Sequence, residues 1–185
     1  MFGRSRIFKS IFNLAIGMIM FGLFTTTQAS ELKIGDKAPE FKLLNQAGET
    51  ISLNQYNDKW IVLYFYPKDD TPGCTEEACS FRDNINRLIA QKAVVLGVSL
   101  DSQESHAKFA KEYGLPFNLL ADEGGEVTKQ YGALLDLKVV KFAKRHSFII
   151  NPQGNIAKIY RSVNPKQHVR DVMKDLKTLQ DEIER

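Results

Sequence analysis

The sequence predicts an α/β protein with a mixed central sheet covered by helices on both faces, and three observations carry that expectation. Trp60–Tyr66 and Ala93–Leu100 are near-continuous apolar runs of strand length, the pattern of strands buried on both sides. Stretches with apolar residues at helical spacing follow each of them. Near the C-terminus, Asn151-Pro152-Gln153-Gly154 is a turn between two short apolar segments, the mark of a closing antiparallel pair.

Taken in order, Phe41–Leu44 and Thr50–Leu53 flank Gln46-Ala47-Gly48-Glu49 and read as an N-terminal β-hairpin. The strand over Trp60–Tyr66 follows. Thr75–Ala90 reads as a helix with Ala78, Phe81, Ile85, Leu88 and Ile89 on its buried face. After the strand at Ala93–Leu100, a helix runs from about Ser102 to Tyr113, where Gly114 ends it. Phe117–Leu120 is a short strand and Glu126–Tyr131 a short helix. His146–Ile150 and Asn155–Tyr160 form the closing pair, and a last helix from Pro165 is expected to bury Val169, Val172, Met173, Leu176, Leu179 and Ile183. Strands alternating with helices, plus a closing hairpin, make a mixed sheet.

Residues 1–30 differ in kind. Arg4, Arg6 and Lys9 precede an almost wholly apolar run from Ile11 to Phe24, and small residues around Thr27 and Ala29 supply a cleavage pattern. Residues 1–29 are therefore expected to be a signal peptide cut near Ala29, leaving 30–185 as one domain. The alternative is an uncleaved membrane anchor, for which the run is short against the roughly 20 residues a span needs. Arg4, Arg6 and Lys9 also account for the whole excess of 25 basic over 22 acidic residues, so the rest of the chain is formally neutral. Nothing in that balance calls for nucleic acid or an anionic membrane as partner.

The chain has two cysteines, both in the run from Pro67 to Cys79. Pro72-Gly73 forces a turn and places Cys74 at or near the first helical positions, with Glu76 and Glu77 expected in the first turn. A thiol there faces unpaired backbone N–H groups and the positive end of the helix dipole, which favour the nucleophilic thiolate. On an intact helix, residues five apart have Cα atoms about 8.6 Å apart and about 140° around the axis. A disulfide needs less than about 7 Å, so pairing of Cys74 with Cys79 would require the helix to unwind. In an exported protein the plainer reading is a structural disulfide, but so short a loop gains little by chain entropy and conflicts with the helix.

Pro67-x-x-x-Thr71-x-x-Cys74 resembles the active-site signature of the peroxiredoxins, thiol peroxidases on a thioredoxin-like scaffold. Thr71-Pro-Gly-Cys-Thr-Glu-Glu-Ala-Cys79 is similar to the bacterioferritin-comigratory-protein, or peroxiredoxin Q, branch, and the likeness runs from about Ile34 to the C-terminus. The resemblance implies a thioredoxin-like fold, a peroxidatic Cys74, a resolving Cys79 in the same helix, and a shielding role for Pro67. It also implies an arginine from a distant strand, for which Arg145 matches and Lys144 is the rival, and an orienting acid, Glu77, which is equally readable as a plain helix acid. The implied activity is reduction of hydrogen peroxide and organic hydroperoxides, with an external thioredoxin-like protein as reductant and a monomer or weak dimer as the assembly.

The chemistry suits these residue types. Displacement on a peroxide oxygen needs a thiolate, alignment of the O–O bond, and donors for the departing oxygen. The N–H groups of Gly73 and Cys74 are fixed donors, and the Thr71 hydroxyl can donate to one oxygen and accept from another. No cofactor or metal is expected: His106, His146 and His168 lack ligand spacing, and Gly124-Gly125 lacks the context of a phosphate loop. Tyr64, Phe65 and Tyr66 read as core or pocket wall. The stretch Gly132–Lys144 reads as a loop and departs from the family wording, being apolar at Leu134, Leu135, Leu137, Val139 and Val140, so a partner or membrane surface could cover it. Two other classes compete: a thioredoxin-type oxidoreductase, which needs Cys-x-x-Cys where four residues separate these cysteines, and a redox-switched binding or holdase module.

Overall fold

The computed structural model describes residues 31–183, so the expected signal segment and its cleavage point lie outside the described residues. Its central sheet has seven strands in the order β2-β1-β5-β4-β3-β8-β9. These are β1 (Lys42–Asn45), β2 (Thr50–Ser52), β3 (Trp60–Phe65), β4 (Ala93–Ser99), β5 (Asn118–Ala121), β8 (Ser147–Ile150) and β9 (Ile156–Tyr160); β6 (Leu134–Asp136) and β7 (Lys141–Ala143) pair separately. The helices are α1 (Pro72–Ala90), α2 (Gln103–Tyr113), α3 (Glu126–Gln130) and α4 (Pro165–Ile183).

β3, β4 and β5 run parallel, and β8 joins β3 antiparallel with Ile61 opposite Ile150. The sheet is therefore mixed, and β3 sits inside it. All six β3 residues are buried because the strand alternates between two cores. Val62 and Tyr64 face α1, α2 and α4 with Phe81, Leu88, Phe109, Val172 and Leu176; Ile61, Leu63 and Phe65 face Phe148, Val127 and Tyr131. Tyr64 and Tyr66 stack, and Tyr64 also stacks on Phe81, as core aromatics.

Several sequence expectations shift. Helix α1 begins at Pro72, not Thr75, because proline suits the first helical position and Thr71 is extended as its cap. Glu76 and Glu77 accordingly fall beyond the first turn, and the dipole argument for them fails. Ile89 is 60% exposed and Ile183 59% exposed, against the expectation of burial. Both lie in the last turn of their helix, at the end of the inward stripe that Phe81 and Leu88, or Val172 and Leu176, define. The stretch 132–144 is not a plain loop: Leu134 pairs with Ala143 and Asp136 with Lys141 in a two-stranded ribbon. Its tip still exposes Leu137, Val139 and Val140.

Candidate active site

β3 ends on the loop that feeds α1, and the helix starts at the carboxyl end of the parallel strands, where open α/β sheets present their crevices. The loop is anchored by a residue that the sequence did not single out. Asp69 is buried and accepts from the Tyr66 hydroxyl at 2.7 Å, from Ser105 Oγ at 2.7 Å and from His106 Nδ1 at 2.9 Å. Burial pushes its carboxyl up, but the hydrogen bond and charge of His106, with the bonds from Ser105 and Tyr66, outweigh that and hold it below the usual carboxylate range. The next residue, Asp70, has φ +55°, a left-handed value that Asp tolerates better than most residues. An Asp in the turn-forming run Asp69-Asp70-Thr71-Pro72-Gly73 is the sequence signal that could have pointed to Asp69.

Thr71 caps α1 by backbone position alone. Its hydroxyl donates to the Lys68 carbonyl at 3.0 Å, and it makes no side-chain cap bond. The first intrahelical bond runs from Thr75 N to Thr71 O at 2.9 Å, so the N–H groups of Gly73 and Cys74 precede the helix ladder. Cys74 is buried at 1% exposure, while Cys79, on another side of the same intact helix, is half-buried; both are free thiols.

Arg145 lies between β7 and β8, 71 residues from Cys74 in sequence, and its Nη2 donates to Cys74 Sγ at 3.0 Å. Its Nη1 donates to Glu77 Oε2 at 2.7 Å. Glu77 is itself buried, and its other oxygen, Oε1, accepts from His168 Nδ1 at 2.7 Å. Gly73 leaves room for this arrangement, since a Cβ there would stand 3.0 Å from Arg145 Nη2. The rival cation, Lys144, is exposed. His146 turns to the opposite side of the sheet, where its Nδ1 lies 3.4 Å from Arg161 Nη1. Pro67 borders a separate cleft of about 370 Å³ with Lys68, Leu100, Asp101, Val140, Lys141 and Phe142. The apolar ribbon β6–β7 therefore does reach the loop ahead of Cys74. Among the described residues no cluster of His, Cys, Asp or Glu is arranged to hold a metal ion.

The constellation joins a buried sulfur and a carboxylate of α1 to a guanidinium from the link between β7 and β8, on a scaffold whose likeness to known proteins is direct. The family model described as AhpC/TSA matches residues 34–159. The chain belongs to the AhpC/TSA family. It is 43% identical over 146 residues to the putative peroxiredoxin bcp of Coxiella burnetii, covering 77% of this chain and 97% of that relative. It is 42% identical over 154 residues to peroxiredoxin Bcp of Bacillus subtilis, covering 80% and 97%. Among solved structures, peroxidoxin BcpB of Mycobacterium tuberculosis superposes with a TM-score of 0.76 at 31% identity, covering 80% of this chain and 98% of that one. A cysteine-to-serine mutant of PrxQ from Xylella fastidiosa superposes with a TM-score of 0.75 at 32% identity, again over 80% and 98%. This member of the AhpC/TSA family is thus an enzyme of peroxiredoxin type on a thioredoxin-like fold, a thiol-dependent peroxidase and oxidoreductase of the Bcp and peroxiredoxin Q branch.

Proposed function

We propose that the protein is an exported peroxidase that reduces hydrogen peroxide and organic hydroperoxides at Cys74 and closes its cycle through a disulfide with Cys79. The observation that carries this reading is the contact of Arg145 Nη2 with Cys74 Sγ at 3.0 Å. A buried thiolate without a partner is costly, and an arginine supplies a permanent charge and donors in a planar fork.

In the first step the Cys74 thiolate attacks one peroxide oxygen. An S–O bond forms, the O–O bond breaks, and the departing oxygen leaves with the electron pair as hydroxide or alkoxide, to be protonated. Arg145 and the N–H groups of Gly73 and Cys74 stabilise that charge, the Thr71 hydroxyl aligns the peroxide, Pro67 shields the sulfur, and Glu77 orients Arg145. In the second step Cys79 attacks the sulfenic sulfur, expelling water and forming the disulfide, for which the start of α1 unwinds. In the third, an external thioredoxin-like dithiol reduces the disulfide and is itself oxidised.

Residues 30–185 form the working domain in this reading, as a monomer or weak dimer, and residues 1–29 act as a signal peptide that delivers it to the periplasm. Two measurements test this function. With a thioredoxin-like reductant in excess, peroxide consumption is expected to continue over many turnovers; a single equivalent consumed would make the protein a switch. Fractionation is expected to recover a chain lacking its first 29 residues outside the cytosol. Recovery of the intact chain in the cytosol alone would overturn the export proposal, and recovery with the membranes would favour the uncleaved anchor.

A further inference from the structure

His168 is the residue of the site that the mechanism above leaves unused, although it is buried and aimed at the site from a different helix. It sits in the first turn of α4, its backbone N–H donating to the Asn164 carbonyl at 3.0 Å. Its ring is held edge-on between Phe81, with centroids 5.4 Å apart at 88°, and Tyr160, 5.6 Å apart at 75°. The imidazole therefore has little freedom to turn. Nδ1 meets Glu77 Oε1 at 2.7 Å, while Nε2 has no hydrogen-bond partner among the described residues.

What this contact does follows from the geometry of the guanidinium. An arginine and a carboxylate left to themselves favour the two-toothed arrangement, two parallel N–H···O bonds between the fork and both oxygens. Here only one tooth is made, Nη1 to Oε2, because Oε1 is already taken by His168. The second nitrogen, Nη2, is thereby left for Cys74 Sγ.

We propose that His168 is a positioning residue of the peroxidase reaction: by occupying Glu77 Oε1 it keeps Glu77 from claiming both nitrogens of Arg145, and so leaves Nη2 on the sulfur. The proposal rests on the reading of Cys74 as the peroxide-reducing sulfur. Without the Nδ1 donor, the buried carboxylate turns to satisfy its freed oxygen on the nearest donor, the other arm of Arg145, and draws it from the thiolate. The effect falls on the peroxide step. Disulfide closure does not need the contact, because Glu77 lies between Cys74 and Cys79 and must leave its place when the helix start unwinds.

The test uses the full chain carrying His168→Asn, whose amide nitrogen stands near the position of Nδ1, and His168→Leu, which keeps bulk without a donor. His168→Gln, whose amide reaches past Nδ1, takes the place of the Leu variant should that one fail to fold. Rapid mixing of each reduced protein with hydrogen peroxide, followed by acid quench and mass spectrometry, resolves sulfenate formation from disulfide closure. Sulfenate formation is expected to slow about tenfold in the Leu or Gln variant and to stay within about threefold of the parent in the Asn variant. Disulfide closure is expected to be slowed in none of them. A parent-like peroxide rate in the Leu or Gln variant, or equal losses in the Asn and Leu variants, would overturn the proposal. So would closure slowed in step with the peroxide reaction, since that marks a residue needed only for packing. Failure of the underlying reading gives a different result: a Cys74→Ser control that reduces peroxide as fast as the parent.

Discussion

At the sulfur of Cys74, the side-chain contact on which the proposed reactivity rests is made by a guanidinium carried between β7 and β8, not by a side chain of α1. Replacing Arg145 with Ala removes a paired charge and a transition-state donor together, and should slow peroxide reduction by about 100-fold or more in stopped-flow assays. Lys144→Ala should leave the rate within a factor of about two, because that side chain is exposed and a lone surface charge contributes little. The reverse order would move the site's cation to Lys144. A second residue-scale prediction concerns stability. His146 is buried, and that burial, followed by the charges of Arg161 and Lys144, pushes its pKa down to about 4 from 6.5. As pH falls below 6.5 the unfolded chain takes up a proton that the folded one refuses until about 4, so the folded state loses stability across that window. Thermal melts from pH 7 to 4 should show the midpoint falling, and His146→Asn should flatten that part of the slope; an unchanged slope would contradict the assignment.

At the scale of elements, the start of α1 and the spacing of β3 against β4 set the site. Moving the helix start from Thr75 back to Pro72 places Cys74 at the third helical position and turns Glu77 inward, toward Arg145 and His168. Pro72-Gly73 carried enough information to place the cysteine in the first turn. Arg145 as a partner of Glu77 was reached through the family resemblance, whereas His168 was not legible, because it lies 91 residues away and only the packing of α1 on α4 brings it in. The closed ribbon β6–β7 escaped for a related reason: short strands paired only with each other, with an exposed apolar tip, read in sequence as an apolar loop. Gly97, in the middle of β4, was also silent. A Cβ there would lie 2.8 Å from the ring and hydroxyl of Tyr64 and 2.9 Å from Leu119 Cδ2, so the glycine exists to let that ring cross the strand. Gly97→Ala should therefore cost about 1–3 kcal/mol by overpacking, read as a lower denaturant midpoint, and a neutral substitution would show that Tyr64 can move aside.

For the molecule as a whole, two cores on opposite faces of one sheet hold the ends of β3 and β4 still, while the proposed disulfide cycle requires the start of α1 to come apart once per turnover. The expected α/β class, the mixed sheet and the thioredoxin-like scaffold agree with the structure and with the family, because long apolar strands and amphipathic helices are signals that tertiary context rarely overrides. The division of labour between the two cysteines is the central claim, and one measurement addresses it most directly. Reduced Cys79→Ser protein, treated with one equivalent of hydrogen peroxide and digested, should show a single added oxygen on the peptide bearing Cys74, trapped as sulfenic acid because no resolving thiol remains. An oxygen found elsewhere, or no oxygen on that peptide while peroxide is consumed, would contradict the assignment of Cys74 as the sulfur that takes the oxygen.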